Sequence, residues 1–372
     1  MASPALPRGL SHEGLERRLY VAPAGTLSAT SAAAAVAAGQ GWSLAGGTLS
    51  FSLCSVLLRD GDAVRESVAT FGELLDWSEA EGDAMARHVG GLLRRLGAGR
   101  PDFAGLAMDR PQIMGIVNVT PDSFSDGGHY LDPRHAIIHG EQLLEAGATL
   151  LDIGGESTRP GSLEVDPDEE TRRVVPVIRA LAERGAVVSV DTRHAQVMGA
   201  AVEAGAAIIN DISALEGPGS LEVAVKSGAS VVLMHMQGDP QSMQQAPAYD
   251  CAALDVYDYL ADRVQVCFAA GIPKDKLCLD PGVGFGKTVE HNLQVMARLG
   301  LYHGLGLPVL LGVSRKSFIG KLSKGEPAAQ RIPGSLIAAA AGFDAGMQIT
   351  RVHDVAETVQ ALTVWRAIRG LS

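Results

Sequence analysis

The sequence predicts an α/β protein, with eight alternating strands and helices from about residue 111 onward and a small N-terminal α/β accessory domain ahead of them. Three observations carry this reading. From Ile113 the chain repeats a short β-branched apolar run, a polar loop and a longer stretch of helical periodicity ending in Gly, and eight such units can be counted. The apolar runs are continuous rather than alternating, as strands covered on both faces require. Each run also ends on polar residues: Asn118, Asp152, Asp191, Asn210, His235, Asp280, Ser314, then Arg351 with His353. In a (β/α)8 TIM barrel the carboxyl ends of all strands converge on one mouth, so these residues would ring a single pocket. An open doubly wound sheet is the alternative architecture.

In chain order, the predicted strands are 113–119, 150–154, 187–191, 207–212, 230–235, 277–280, 308–313 and 348–352. Helices are expected over 133–146, 167–184, 194–204 and 355–368, where apolar residues recur at helical spacing. The first hundred residues follow another pattern. Residues 42–45, a Gly46-Gly47 turn and 48–58 read as a hairpin, 28–38 as a short Ala-rich helix, and 65–75 and 81–96 as helices. A Gly-, Pro- and Arg-rich linker, 97–111, separates an accessory domain (1–100) from the catalytic barrel (111–372). No chemistry is read in the accessory domain, so deleting 1–100 is expected to leave turnover largely intact.

Composition excludes some classes. A net charge of −11 argues against a protein that neutralises many phosphates of a nucleic acid. The run 28–38 lacks the branched apolar residues of a secretory segment, and no stretch has the roughly 20 strongly apolar residues of a membrane span. Cys54, Cys251, Cys267 and Cys278 form no CxxC pair and read as free thiols of a reducing compartment, which points to the cytoplasm.

The first strand runs into Asn118-Val-Thr-Pro-Asp-Ser-Phe-Ser-Asp-Gly-Gly128, a Gly-ended loop able to close over a pocket. Asn118 offers a neutral oxygen to a hard cation such as Mg²⁺; a turn-stabilising Asn, with Asx turns at Asp122 and Asp126, is the alternative. In Asp152-Ile-Gly-Gly-Glu-Ser-Thr-Arg-Pro-Gly161, Thr158 and Arg159 suit an anion, unless the loop is merely solvated. Asp191, Asn210 and Asp280 can read the edge of a flat heterocycle by paired hydrogen bonds, or serve as ion pairs and caps below the mouth. The segment 279–288 imitates a P-loop, but Pro281 stands where that motif needs Gly, so ATPase activity is rejected. It reads instead as a loop carrying Phe285 at the pocket rim. Beyond the seventh strand, Lys316 reaches toward a heterocycle carbonyl and Ser317 toward a carboxylate at a helix start. Arg351 and His353, two residues apart, face one way and suit a diphosphate.

Together these strings (NVTPDSFSDGG, GGESTRPG, VDT, NDIS, LDPGVGFGK, GVSRKSF, RVHDVAET) resemble the dihydropteroate synthase family over about residues 111–370. The resemblance implies condensation of 6-hydroxymethyl-7,8-dihydropterin diphosphate with 4-aminobenzoate, Mg²⁺ as cofactor, inhibition by sulfonamides and a homodimer through barrel helices. It implies that Asp191, Asn210, Asp280 and Lys316 bind the pterin, with Arg351 stacked on it. Asn118, Thr158, Arg159 and His353 would hold the diphosphate, and Asn118 the metal. Phe124, Asp126, Pro160 and Phe285 would surround aminobenzoate, with its carboxylate at Ser317. The residues expected to act in the reaction itself are Asn118, Asp126, Arg159, Lys316 and His353. Two other readings stand beside it: a pterin-dependent methyltransferase, which has no use for the Ser-Arg-Lys-Ser and Arg-Val-His-Asp clusters, and a silent pterin-binding paralogue.

Overall fold

The computed structural model describes residues 5–61, 63–119, 133–156 and 164–371. The chain opens with β1 (Leu19–Ser28), α1 (Ala29–Ala37), β2 (Trp42–Ser43), β3 (Leu49–Asp60), β4 (Ala63–Thr70), α2 (Phe71–Ala80) and α3 (Asp83–Gly97). The long β3 pairs antiparallel with β1 on one side and with β2 and β4 on the other. Residues 65–75, expected as one helix, divide into the end of β4 and the start of α2. Ser67 and Ala69 are buried between exposed neighbours, the period of a strand with one covered face. The helix begins at Phe71 because Thr70 and Glu73 form a capping box, with Glu73 N–H donating to Thr70 Oγ1 at 3.2 Å and Thr70 N–H to Glu73 Oε2 at 2.8 Å. Strand β1 has no counterpart among the expected elements. Pro23 and Gly25 disguise it, and an edge position tolerates both.

Buried side chains stand on both faces of this sheet, in alternation along β1 and β3. Leu19, Val21, Val56 and Leu58 face α2 and α3, where Leu74, Met85, Val89 and Leu96 complete a core. Tyr20, Ala22 and Leu57, one residue out of phase, join the core of the barrel. The accessory unit is therefore packed onto its neighbour through apolar side chains on that face, with ion pairs such as Arg59–Asp255 beside them.

The barrel is built from β5 (Gln112–Asn118), α4 (Pro133–Glu145), β6 (Leu150–Gly154), α5 (Pro167–Ala182), β7 (Val188–Asp191), α6 (Ala195–Glu203), β8 (Ile208–Asp211), α7 (Ser220–Ser227), β9 (Ser230–Met234), α8 (Ala252–Ala269), β10 (Leu277–Asp280), α9 (Val289–Met296), β11 (Leu310–Gly312), α10 (Ser317–Leu322), α11 (Ile332–Asp344), β12 (Ile349–Val352) and α12 (Val355–Ile368). The strands run parallel in the order β10-β9-β8-β7-β6-β5-β12-β11. A parallel bridge between Leu279 and Val309, with Leu279 N–H donating to Pro308 O at 2.9 Å, joins the two ends of that order and closes the ring. This is the (β/α)8 barrel that the repeating pattern predicts, with all eight expected strands present and their ends within two residues of expectation.

Side chains alternate between inside and outside along each strand, and that period places the polar groups. Met114, Leu150, Ile208, Val232, Cys278, Leu310 and Ile349 fill the lower interior, all almost wholly buried. Two residues further along the same strands stand Asp152, Asn210, Asp280 and Arg351, one layer nearer the mouth. Phe103 and Met108, from the segment expected only as a linker, close the floor beneath that apolar layer. They replace water at the open end of the barrel, so the segment is part of the barrel's packing.

Candidate active site

Four neighbouring strands set up one row of the mouth by register. Asn118 pairs with Gly154, Gly154 with Asp191, and Asp191 with Asn210. Gly154 leaves that row open: a Cβ there would lie 3.6 Å from the Asp191 Cβ and 3.8 Å from Asn118 Oδ1, and anything larger would fill the space between them.

Arg351 crosses the barrel to this row. Its Nε donates to Asp152 Oδ2 and its Nη2 to Asp191 Oδ2, each at 2.5 Å, while Asn210 Nδ2 donates to Asp152 Oδ2 at 3.0 Å. The second oxygens, Asp152 Oδ1 and Asp191 Oδ1, are buried and have no hydrogen-bond partner among the described residues. A buried acceptor left unmatched is costly, so these two oxygens are where a ligand with N–H donors gains most. Burial pushes the Asp191 carboxyl up, to about 7, with Arg351 pulling it back down. Burial likewise raises Asp280, against the Gly282 N–H that donates to its Oδ1 at 2.7 Å.

The cations come from the far side of the ring. Arg315 adopts a left-handed conformation (φ 58), held by its N–H on Ser335 Oγ at 2.8 Å and by its guanidinium on Asp354, with Nε at 3.0 Å from Oδ2. That turn sends Arg315 outward and leaves Lys316 facing the pocket. Lys316 Nζ sits 3.8 Å from the centroid of the Phe285 ring, a cation–π contact. Burial lowers its pKa to about 8, although Asp280 favours the charged form. Ser317 follows as the exposed first residue of α10. His353, just past β12, is held by Ser314, whose Oγ lies 3.1 Å from its Nδ1 and accepts its backbone N–H at 3.2 Å.

Asn118, Asp191, Asn210, Asp280, Phe285, Lys316, Ser317, Arg351 and His353 all stand at the carboxyl ends of the strands or in the loops directly beyond them. Phe124, Asp126, Thr158, Arg159 and Pro160 lie outside the described residues. Two residues to which the sequence assigns no role belong here. Asp152 reads only as a strand end, and its Gly-Gly successor, which lets other groups approach, is the available signal. Lys287 offers no signal. Its Nζ is buried and donates to Gly282 O at 2.9 Å and Phe285 O at 3.1 Å, with His235 Nδ1 at 2.9 Å, so the 281–288 loop is wrapped around one ammonium group. Burial and Lys287 together press His235 down to about 2, which keeps the ring neutral and Nδ1 an acceptor.

Glu156, Glu170 and His194 bring three potential metal-ligating atoms within 4.8 Å of one another. Arg193 already binds both oxygens of Glu156 at 3.3 Å, and His194 Nδ1 meets Glu170 Oε2 at 2.8 Å. The cluster reads as an ion-pair network that ties α5 to α6.

A closed barrel with carboxylates, an amide and cations at one mouth is the architecture of a small-molecule enzyme, and comparison with known proteins gives it a family. The family model described as "Pterin binding enzyme" matches residues 114–353, and the chain belongs to that family. It is 49% identical over 263 residues to the dihydropteroate synthase of Escherichia coli K12, an alignment covering 70% of this chain and 93% of that protein. Among solved structures, the Yersinia pestis dihydropteroate synthase in a sulfonamide drug complex matches with a TM-score of 0.68 and 51% identity, covering 71% of this chain and 96% of the other. The Xanthomonas albilineans enzyme in complex with 7,8-dihydropteroate matches with a TM-score of 0.67 and 47% identity, over 73% of this chain and all of that one. Within the family, this chain is a dihydropteroate synthase.

Proposed function

We propose that the protein joins 6-hydroxymethyl-7,8-dihydropterin diphosphate to 4-aminobenzoate, releasing diphosphate and 7,8-dihydropteroate. The observation that carries this is the pair of unmatched buried oxygens on Asp152 and Asp191, on either side of Arg351, facing Lys316 across the mouth. An aminopyrimidine edge supplies N–H donors to acceptors of that kind, and a ring lacking those donors leaves them unpaired. Asp191, Asn210 and Asp280 take the edge of the pterin, Lys316 its carbonyl, and Arg351 its face.

The diphosphate goes to the side of His353, with Thr158 and Arg159 expected from the neighbouring loop. The bond that breaks joins the pterin methylene carbon to the diphosphate oxygen, which keeps the electron pair. Cationic groups placed where that charge develops lower the barrier. The aniline nitrogen of 4-aminobenzoate then bonds to the carbon and gives up a proton to solvent or to the departing diphosphate. Phe124, Asp126, Pro160 and Phe285 would enclose the aromatic ring, and Ser317 its carboxylate. No side chain is needed as a nucleophile, and Cys54, Cys267 and Cys278 are buried away from the mouth.

Asn118 is the residue that would hold Mg²⁺. A single amide oxygen suits an ion that takes most of its ligands from phosphate oxygens and water, and when bound the ion would neutralise diphosphate charge. A homodimer is supported by Ile337, Val364 and Ile368, exposed by 74%, 53% and 79% on the adjacent helices α11 and α12. No helix of the described residues is long and apolar enough to cross a membrane, and a cytoplasmic location is the reading that four free cysteines favour.

The test mixes purified protein with Mg²⁺, the pterin diphosphate and 4-aminobenzoate and measures dihydropteroate. Absence of product above background discards the reading.

A further inference from the structure

A line of hydrogen bonds runs from the accessory unit to the mouth of the barrel. Arg59 on β3 donates from Nη2 to Asp255 Oδ1 at 2.8 Å, and both side chains are at least three-quarters covered. The other oxygen of Asp255 accepts the N–H groups of Asp250 at 2.9 Å and Cys251 at 3.1 Å, where the segment between β9 and α8 ends. One residue earlier, Tyr249 donates its hydroxyl to Gly286 O at 2.7 Å. That segment also reaches the same loop through Gln244, whose Nε2 donates to Gly284 O at 3.0 Å. The contact is close throughout: a Cβ on Gly286 would stand 2.4 Å from Gln237 O. Between Gly284 and Gly286 lies Phe285, under Lys316.

We propose that Arg59 is a positioning residue for the transfer reaction, acting through Asp255 and Tyr249 to fix the 281–288 loop, and with it Phe285, where the aromatic amine docks. The accessory unit thereby has a part in the site although none of its described side chains is among those placed at the mouth. The inference rests on assigning Phe285 to the aminobenzoate side of the pocket. Arg59 also approaches Asp258 at 3.5 Å, beside the Tyr20 hydroxyl, and a role confined to gluing the unit onto α8 would end there. The two roles differ in what they move. Loss of glue lowers stability, whereas loss of positioning raises KM for one substrate.

Four forms of the full chain decide it: Arg59→Ala, Arg59→Lys, Tyr249→Phe and the Ala–Phe double variant, each shown by thermal melting to be folded. Arg59→Ala is expected to raise KM for 4-aminobenzoate roughly fivefold while KM for the pterin diphosphate stays within about twofold. Arg59→Lys recovers most of the loss, and the double variant is less than additive, as members of one network are. Hydrogen exchange over 282–287, measured without substrate, should quicken in Arg59→Ala and Tyr249→Phe alike. This readout stands even if the wild-type protein makes no dihydropteroate, which would sink the proposed function alone. An unchanged KM, equal rises for both substrates, additive effects or undisturbed exchange would each overturn the role given to Arg59.

Discussion

Asp152 and Arg351 are 199 residues apart in sequence and 2.5 Å apart in space, at the centre of the pocket. The contact exists because each sits two positions beyond a buried floor residue, Leu150 and Ile349, on strands that both flank β5. The same guanidinium holds Asp191. One cation thus separates two carboxylates that would otherwise repel each other in a dry interior.

Arg351→Met should therefore harm more than binding. Breaking a buried ion pair by removing one partner leaves its charge uncompensated, at about 3–5 kcal/mol. The cost should show in urea unfolding and ease as pH falls, because Asp191, which burial already pushes up to about 7, then takes up a proton. A variant as stable as wild type at pH 7 would show that the guanidinium is not needed to hold these two carboxylates together.

Lys316 predicts a pH dependence of definite sign. Its folded-state pKa is depressed to about 8 by burial, so it carries a full charge only below that pH. KM for the pterin diphosphate should rise as pH climbs through 8, and Lys316→Arg should push that limb upward. Stability should move the other way. Between pH 8 and the ordinary lysine range the unfolded chain binds the extra proton, so this group makes the fold more stable as pH rises and less stable as pH falls through 8. A flat KM across pH 7 to 9 would remove Lys316 from the substrate contacts.

The barrel is legible in the sequence because its strands are buried on both faces and carry no competing pattern. Their ends are legible because polar residues close eight apolar runs in succession, where a single one could be a cap or a turn. Legibility fails where one residue's meaning depends on a distant partner. Asp152 is a strand end until Arg351 arrives, and Lys287 looks like a solvated lysine until three acceptors close on it. β4 is hidden because its covered face shows only Ser67 and Ala69, too little apolar signal to outweigh the helical periodicity that begins at Phe71.

Lys287→Met tests whether the loop after β10 is held by that ammonium. The substitution keeps the length of the side chain but leaves Phe285 O and His235 Nδ1 without a donor, and Gly282 O with only the Phe285 N–H at 3.1 Å. Each unmatched buried acceptor costs about 1–3 kcal/mol, reduced where water can enter. We expect a stability loss on the order of 2–4 kcal/mol by denaturant unfolding, together with weaker 4-aminobenzoate binding. A fully stable variant with normal KM would show the loop to be fixed from the Tyr249 side alone.

Deletion of residues 1–100 is where the packing changes the expectation drawn from sequence. Reading no chemistry in that part predicts a truncated enzyme that still turns over. Yet Tyr20, Ala22 and Leu57 are almost wholly buried in the barrel's own core cluster, and the Tyr20 ring meets Tyr257 of α8 edge to face at 5.5 Å. The Tyr20 hydroxyl donates to Asp258 at 2.8 Å, and Arg17 pairs with Asp262 one turn further along that helix. Burial raises Asp258 to about 6, so a mildly acidic medium would neutralise part of this seam. Removing the unit uncovers the apolar groups that Tyr20, Ala22 and Leu57 bury, Tyr257 among them, and exposed apolar surface causes association. The truncated barrel should express largely as aggregate, with a soluble fraction whose melting temperature lies well below that of the full chain. Tyr20→Ala in the full chain gives a milder form of the same test, costing about 3–5 kcal/mol as a large buried aromatic. A soluble, monodisperse truncation that melts with the parent would show that the barrel does not need its neighbour.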